Sequence, residues 1–214
     1  MTKKVMVVAS RNRKKAREIV EILKGLDWKV VSMLDAGADF EVVEDGTTFE
    51  ENSYKKALEV MRATGLTAIA DDSGLEVDAL CGRPGVYSAR FSGENATDAS
   101  NNLKLLEMME HVPKDKRTAR FVCAATVVFP DDAYFTVRGE CEGRILFGPK
   151  GTGGFGYDPL FYLPGYGKTF AQLDARTKNS ISHRARAFSK VREQLASLGG
   201  GTGLENRRTK RQPR

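Results

Sequence analysis

The fold class is decided near the amino terminus by the stretch Val5-Met6-Val7-Val8-Ala9-Ser10-Arg11-Asn12-Arg13-Lys14-Lys15. Residues 5–9 form a short apolar run, which is typical of a buried strand. From Arg13 onward, apolar residues recur at helical spacing as far as Gly25 or just after it. Residues 10–15 are therefore predicted to form the turn between a buried strand and a helix.

The rest of the chain continues to alternate between helix and strand patterns. Thr48-Phe49-Glu50-Glu51 is a capping box and predicts a helix that continues to Arg62. Residues 68–70 predict a strand that stops at Asp71-Asp72-Ser73-Gly74. The later predictions are a half-exposed strand over residues 75–80, a helix over residues 99–111, a β-hairpin from residues 121–129 and 134–141, and a last helix from Ser180 or Ser182. This order favours an α/β fold with a central mixed β-sheet flanked by helices.

Composition separates a folded body from a basic carboxyl-terminal segment. We assign residues 1–198 to one domain and residues 199–214 to a glycine-rich linker with a basic tail. Residues 204–214 carry five basic residues and one acidic residue, so four of the six net positive charges lie there. This composition favours a solvated, disordered tail over an arm that contacts nucleic acid.

Cysteine usage and hydropathy indicate the compartment. Cys81, Cys123 and Cys141 are widely spaced and form no C-x-x-C pair, so we expect reduced thiols. No apolar run approaches the length of a membrane span, and the first ten residues are too short for a signal peptide. We therefore expect a cytoplasmic protein that does not bind membranes.

The predicted turn after the first strand is a candidate phosphate site. Such a turn offers free backbone N–H groups and the positive end of a helix dipole. The side chains that add donors are Ser10, Arg11, Asn12, Arg13, Lys14 and Lys15. The turn is not a Walker A loop, because it has no glycines and no G-K-[ST] ending. A capped, solvated helix start would have the same composition, so this segment alone leaves both interpretations open.

A sparse set of carboxylates is a candidate metal site. Asp71 and Asp72 are adjacent in a predicted strand and should point to opposite faces, so one is expected to be structural and the other to reach a cleft. Magnesium binds one or two carboxylates together with water and substrate phosphates, which fits Glu44 and Asp72. Lys56, one helical turn after Asn52, could reach a phosphate from the same face. A turn rich in aspartate and an ordinary surface lysine are the alternatives.

A glycine-rich segment is a candidate site for a flat base. Residues 151–156 match G-x-G-x-x-G, but Tyr157-Asp158-Pro159 follows and does not open a helix, so we reject a dinucleotide motif. A loop that carries Phe155 and Tyr157 suits a base, with backbone groups reading its edge. The segment Ser182-His183-Arg184 begins the last helix and Lys178 lies just upstream of it, and both add basic side chains.

Taken together and in order, these motifs resemble the inosine triphosphate pyrophosphatase family, also called the Ham1-like or non-standard purine NTP pyrophosphatases. The motifs are Ser10-x-Asn12-x-x-Lys15-x-x-Glu18, Thr48-Phe49-x-Glu51-Asn52, Ala70-Asp71-Asp72-Ser73-Gly74-Leu75, Pro84-Gly85-Val86-Tyr87-Ser88-Ala89-Arg90, Gly153-Gly154-Phe155-Gly156-Tyr157-Asp158-Pro159 and Ser182-His183-Arg184. The resemblance extends from about residue 5 to residue 198 and leaves out only the basic tail.

The resemblance implies an elongated α/β subunit with two lobes around a deep substrate cleft, which forms a homodimer. It also implies magnesium-dependent hydrolysis of ITP, dITP and XTP to the monophosphate and pyrophosphate, which keeps these nucleotides out of DNA and RNA. Residues 10–15 would bind phosphate, Lys15 and Lys56 would neutralise the triphosphate, and Glu44 and Asp72 would hold the metal. Asp72 would also activate water. The residues left for substrate contacts and for enclosing the purine are Ser73, Phe155, Gly156, Tyr157, Asp158, Lys178, His183 and Arg184.

One departure and two other functions stay open. The family often has a glycine where this chain has Arg11, which would be strained if the position needs positive φ and would simply add charge if it faces solvent. A nucleotide or nucleic-acid binding module without catalysis would gain nothing from acidic groups in its cleft. A pyrophosphatase for other modified nucleotides would differ only in its substrate profile.

Overall fold

The computed structural model describes residues 3–199, without the side chains of Arg13 and Lys14. The predicted basic tail, and the nucleic-acid contact considered for it, lie outside these residues. Within residues 3–199, no helix is both long enough and apolar enough to span a membrane.

One sheet of seven strands organises the fold, in the order β2-β1-β3-β4-β5-β6-β7. The strands are β1 (Lys4–Val8), β2 (Trp28–Ser32), β3 (Thr67–Val77), β4 (Thr118–Val128), β5 (Tyr134–Ile145), β6 (Phe161–Leu163) and β7 (Lys168–Thr169). Strand β1 pairs in parallel with β2 and β3, whereas β6 pairs antiparallel with β5 and β7. The prediction of an α/β fold with a mixed sheet is confirmed.

Five α-helices accompany the sheet in the described part of the chain. They are α1 (Arg13–Ile22), α2 (Phe49–Thr64), α3 (Asp98–Met108), α4 (Ala175–Ile181) and α5 (His183–Gly199). The predicted capping box opens α2: the Thr48 hydroxyl accepts a hydrogen bond from the Glu51 N–H at 3.1 Å. Gly65 ends α2 in the left-handed conformation, with φ of 67°.

The described residues divide into two compact units, and β3, β4 and β5 contribute residues to both. Unit 1 consists of residues 3–72, 124–138 and 187–199, and unit 2 of residues 73–123 and 139–186. Small and β-branched side chains of β1, α2 and β3 fill the core of unit 1. The core of unit 2 is more aromatic: Phe121, Phe161 and Phe170 pack with ring centroids 4.6 to 5.7 Å apart.

Two sequence predictions are wrong in ways that bear on the candidate site. Asp71-Asp72-Ser73-Gly74 is not a turn, because β3 runs through it from Thr67 to Val77 and a 3₁₀ turn follows at Asp78–Leu80. The last helical region is two helices, α4 and α5. Ser182 separates them: it ends α4, and its hydroxyl accepts from the Ala185 N–H at 3.1 Å. Strand β2, half-buried at the edge of the sheet, was not predicted.

Candidate active site

The turn after β1 has the predicted form. Strand β1 ends at Val8 and α1 begins at Arg13. The Asn12 side-chain oxygen accepts a hydrogen bond from the Lys15 N–H at 3.2 Å, so Asn12 caps the helix. The turn therefore places Ser10, Asn12 and Lys15 at the amino-terminal end of α1, where the helix dipole favours an anion.

Arg11 fits this turn without backbone strain. Among the described non-glycine residues, only Cys81 and Asp132 have positive φ, so position 11 does not need the conformation that glycine supplies. The Arg11 guanidinium lies 3.5 Å from the Asp39 carboxylate and 4.0 Å from that of Glu41, and all three side chains are more than half exposed. Arg11 therefore faces solvent and adds charge.

Helix α2 carries Lys56 into contact with two carboxylates. Lys56 Nζ donates to Glu44 Oε1 at 3.0 Å and lies 3.7 Å from Asp72 Oδ1. The lysine side chain is only 12% exposed, which excludes an ordinary surface lysine. Asn52, one turn earlier on α2, donates from Nδ2 to Asp72 Oδ2 at 3.0 Å and accepts from the Gly46 N–H at 2.8 Å. We call Glu44, Lys56 and Asp72 the lysine–carboxylate cluster.

Burial and neighbouring charges act in opposite directions on each pKa in this cluster, and both pKa values are raised. Burial raises the pKa of Asp72 above its ordinary value, although the nearby Lys56 ammonium opposes this effect. Burial by itself would lower the pKa of Lys56, but the Asp72 and Glu44 carboxylates outweigh it, so this pKa is raised. Lys56 is therefore a firmly protonated cation beside the buried Asp72 carboxyl.

A pocket of about 250 Å³ opens beside the cluster within unit 1. The charged side chains on its wall are Arg11, Lys15, Lys56, Glu41, Glu44 and Asp71, and Ser10 and Asn12 add neutral polar groups. The basic and acidic side chains are equal in number, so the wall has no net charge to offer a polyanion. Asp71 is the member of the aspartate pair on this wall, whereas Asp72 contacts Lys56 and Asn52.

The carboxylates fit magnesium better than a metal that needs a full protein cage. Residues 3–199 contain no group of three or more His, Cys, Asp or Glu side chains arranged to hold a metal. Magnesium needs only one or two carboxylates when water and phosphate oxygens complete its shell. Glu44 and Asp72, which share the Lys56 ammonium, provide such a sparse donor set.

In unit 2, the loop between β5 and β6 folds back onto Asp158. The buried Asp158 Oδ2 accepts from the Phe155 N–H at 2.9 Å and from Lys178 Nζ at 2.5 Å. Lys178 Nζ also lies 4.5 Å from the centre of the Phe155 ring, within cation–π range. The structure thus brings Lys178, which lies 20 positions after Asp158, onto two residues of the loop. No helix follows the loop, as the rejection of a dinucleotide motif requires.

The sequence predicts that backbone groups of this loop read a base, and four of its N–H groups have partners within the protein instead. Four N–H groups of the loop already donate within the protein: those of Gly153 to Ala171 O, Phe155 to Asp158, Gly156 to Asp98 and Asp158 to Phe155 O. These four donors are not available to a ligand in this arrangement. Buried basic side chains are a further source of donors in unit 2.

His183 and Arg184, at the start of α5, are both buried in unit 2. The His183 ring stacks on Phe121 with centroids 4.9 Å apart and an interplanar angle of 15°. Arg184 Nη2 donates to the Ser73 hydroxyl at 3.2 Å. Lys178, which the sequence places just upstream of the last helix, is also buried and lies on α4. We call Lys178, His183 and Arg184 the basic cluster of unit 2.

Asn52 is a residue of the unit 1 site to which the sequence analysis assigned no role. Its amide fixes the Asp72 carboxylate and the Gly46 backbone at once. A signal was present, because the capping box sets the phase of α2 and puts Asn52 one turn before Lys56. What the sequence did not indicate is that β3 continues past residue 70 and places Asp72 opposite that face.

The loop of unit 2 depends on glycine at position 154, which gives a stability prediction. Gly154 has φ of 75°, and a Cβ there would overlap the Asp158 carboxylate. We expect Gly154→Ala to lower the free energy of unfolding by about 2 kcal/mol, from backbone strain and overpacking. Chemical denaturation would measure the loss. Gly148→Ala is the matched control, because its Cβ would meet no atom within 4 Å; equal losses would contradict the prediction.

The fold and these clusters define an α/β protein. Its unit 1 has a turn suited to an anion and a partly buried lysine–carboxylate cluster, and its unit 2 has a cluster of basic side chains among aromatic rings. The chain belongs to the Ham1 family, whose model matches residues 6–194. The resemblance inferred from the motifs is thereby confirmed.

Individual relatives cover almost the whole chain. A protein named dITP/XTP pyrophosphatase from Desulforamulus reducens is 53% identical over 193 residues, covering 90% of this chain and 96% of the relative. One of the same name from Geobacter sulfurreducens is 52% identical over 194 residues, covering 91% and 98%. The solved structure of the Staphylococcus aureus Ham1 protein is 42% identical, with a TM-score of 0.83, and covers 91% of this chain and 100% of that one.

Proposed function

We propose that this chain hydrolyses the non-standard purine nucleoside triphosphates dITP, XTP and ITP to the nucleoside monophosphate and pyrophosphate. The observation that carries the proposal is the lysine–carboxylate cluster beside a pocket that also holds Ser10 and Lys15. The cluster combines cations for phosphate oxygens with a carboxylate that can act on water. The 53% identity to a protein named dITP/XTP pyrophosphatase supports the choice of substrate.

Asp72 is the proposed general base. Burial raises the pKa of Asp72, and a carboxylate with a higher pKa is a stronger base toward water. The hydrogen bond from Asn52 fixes the rotation of the carboxylate and leaves Oδ1 on the side of Lys56. Lys56 and Lys15 would stabilise the negative charge that moves onto the departing pyrophosphate.

Magnesium is the proposed cofactor, with Glu44 and Asp72 as its protein ligands. The pocket wall has no net charge, whereas a triphosphate near neutral pH carries about four negative charges. The protein side chains alone therefore leave the substrate without sufficient counter-charge. When bound, magnesium would neutralise phosphate oxygens and help to orient the reacting groups.

The base would be selected by the basic cluster of unit 2. Hypoxanthine and xanthine present a keto oxygen at position 6, where adenine presents an amine. A buried donor that meets the amine stays unpaired, at a cost of about 1–3 kcal/mol. Because four of the loop N–H groups already have partners, we assign this role to Lys178, His183 and Arg184. Guanine shares the 6-keto group, so a second contact must exclude its 2-amino group.

Product analysis with magnesium and ITP, dITP, XTP, GTP, ATP or dTTP tests the proposal. We expect monophosphate and pyrophosphate from the first three, with kcat/KM at least about a hundredfold above that for ATP. Diphosphate and orthophosphate would mean cleavage at the other anhydride. Binding without turnover would favour the non-catalytic module, and turnover restricted to other modified nucleotides would favour the third function.

Removal of the metal is expected to abolish turnover. Dialysis against EDTA should leave less than about 1% of the pyrophosphate release from ITP, because charge stabilisation by a divalent cation is commonly worth several kcal/mol. Added Mg²⁺ should restore the rate, whereas equal ionic strength from NaCl should not. Full activity in EDTA would remove magnesium from the proposal and leave the assignment of the substrate intact.

We also propose a homodimer, as the resemblance to the family implies. Sedimentation equilibrium at micromolar concentration would show twice the 23.6 kDa chain mass. A single-chain mass would contradict this.

A further inference from the structure

Helix α3 holds both backbone groups of Gly156, in the middle of the loop of unit 2. Asp98 Oδ2 accepts from the Gly156 N–H at 2.7 Å. Asn102 Nδ2, one helical turn later, donates to the Gly156 carbonyl at 2.9 Å. The spacing of four residues puts both side chains on one face of α3. We call Asp98 and Asn102 the α3 polar pair.

Gly156 needs external support because of its backbone conformation. Its φ is 59°, which glycine reaches freely but also leaves freely, so ordering it has a large entropic cost. Its two neighbours are residues that the proposed function uses: Phe155, whose ring lies near Lys178, and Tyr157, whose hydroxyl donates to Ser88 O at 2.9 Å. The α3 polar pair thus fixes the peptide groups from which both aromatic rings project.

The polar pair contains a group that packing alone does not explain. Asn102 Oδ1 is buried and has no hydrogen-bond partner within residues 3–199. An unsatisfied buried acceptor costs about 1 kcal/mol or more, and an apolar residue of similar shape would avoid that cost. An asparagine in this position therefore lowers stability, and its hydrogen bond to Gly156 is what it contributes in return.

We propose that Asp98 and Asn102 are positioning residues that set base selectivity through the loop at residues 153–158. The inference rests on the proposed function, since it concerns the base of that substrate. A loop held at Gly156 presents Phe155 and the Asp158–Lys178 ion pair in one arrangement. Without the α3 polar pair, the loop relaxes and accepts other bases more readily. The pair bonds to Gly156 of unit 2 rather than to the lysine–carboxylate cluster, so we expect its effect to be confined to recognition of the base.

The test compares Asp98→Ala and Asn102→Ala with wild type in steady-state hydrolysis of ITP and ATP, which differ at position 6 of the base. We expect each variant to raise KM for ITP and to reduce the ratio of kcat/KM for ITP over ATP by about tenfold. Asp98→Asn retains a side-chain acceptor for the Gly156 N–H and should restore most of the ratio. Glu107→Ala is the matched control, because Glu107 is an exposed residue of the same helix and should leave the ratio as in wild type.

A second measurement separates positioning from general loss of structure. Inhibition by inorganic pyrophosphate should change less than about twofold in both alanine variants, because pyrophosphate lacks a base. An unchanged ITP-to-ATP ratio would overturn the inference, and so would a parallel loss of pyrophosphate affinity. Failure of wild type to hydrolyse ITP would instead overturn the proposed function, so the two failures are distinguishable.

Discussion

Asp72→Asn is expected to lower turnover of ITP by at least about a hundredfold while the chain stays folded. Asparagine keeps the shape of the side chain but cannot accept a proton from water or hold a metal with full charge. The unfolding midpoint should move little, because the neutral amide removes the desolvation cost that raises the pKa of Asp72 but also removes one counter-charge of Lys56. Steady-state kinetics and a thermal melt on the same preparation would measure both effects.

Two other aspartate-to-asparagine variants test whether the loss of turnover is specific to Asp72. Asp45→Asn is the matched control: the side chain is 66% exposed, pairs with Lys55 and should tolerate the change with less than about a twofold effect. Asp71→Asn tests the choice within the aspartate pair, since Asp71 lines the pocket. If Asp71→Asn abolished turnover and Asp72→Asn left it near normal, the role of base would pass to Asp71.

Local sequence signals predicted the elements that local interactions determine. The capping box at Thr48 fixed the start of α2, because its hydrogen bonds join residues only three apart. The apolar run at residues 5–9 predicted β1 for a similar reason, since a buried strand needs a continuous apolar stretch. The capping contacts lie within the segment itself, whereas for β1 only the signal is local, because its partners are β2 and β3.

The same signals failed at β3, because distant residues override them there. Adjacent aspartates before Ser-Gly resemble a turn. The Asp72 carboxylate is satisfied instead by Asn52 and Lys56, 20 and 16 positions earlier, which allows the strand to continue with both aspartates buried. Helix α4 was not predicted for another reason. With seven residues it is too short for a periodic pattern, and its one local signal is the Asp174 cap.

In the candidate site, too, the sequence predicted local features but not contacts between distant segments. The resemblance named its residues one by one, but not their partners. The contact of Lys178 with both Asp158 and Phe155 depends on how α4 packs against the glycine-rich loop, which no spacing reveals. The α3 polar pair carried no motif at all, because an aspartate and an asparagine at helical spacing look like any exposed helix face.

Lys56→Met is expected to destabilise the metal-free chain and to reduce turnover by about a hundredfold. The change leaves Glu44 and the buried Asp72 without the cation they share, and breaking such a pair costs about 3 kcal/mol when one partner stays partly exposed, as Glu44 does. For a chain of this size that is a drop of roughly 6–12 °C in the unfolding midpoint. Thermal melts in EDTA would measure it.

The response to magnesium identifies the cause of that instability. A divalent cation bound to Glu44 and Asp72 replaces the missing ammonium, so Mg²⁺ should raise the midpoint of Lys56→Met by more than it raises that of wild type. Lys55→Met is the matched control, because Lys55 directly precedes Lys56 in α2 and pairs with the exposed Asp45. It should cost less than about 1 kcal/mol and respond to Mg²⁺ as wild type does. Equal melts for the two variants in EDTA would show that Lys56 is not the counter-ion of the carboxylates, and the charge argument for a metal at this cluster would fail with it.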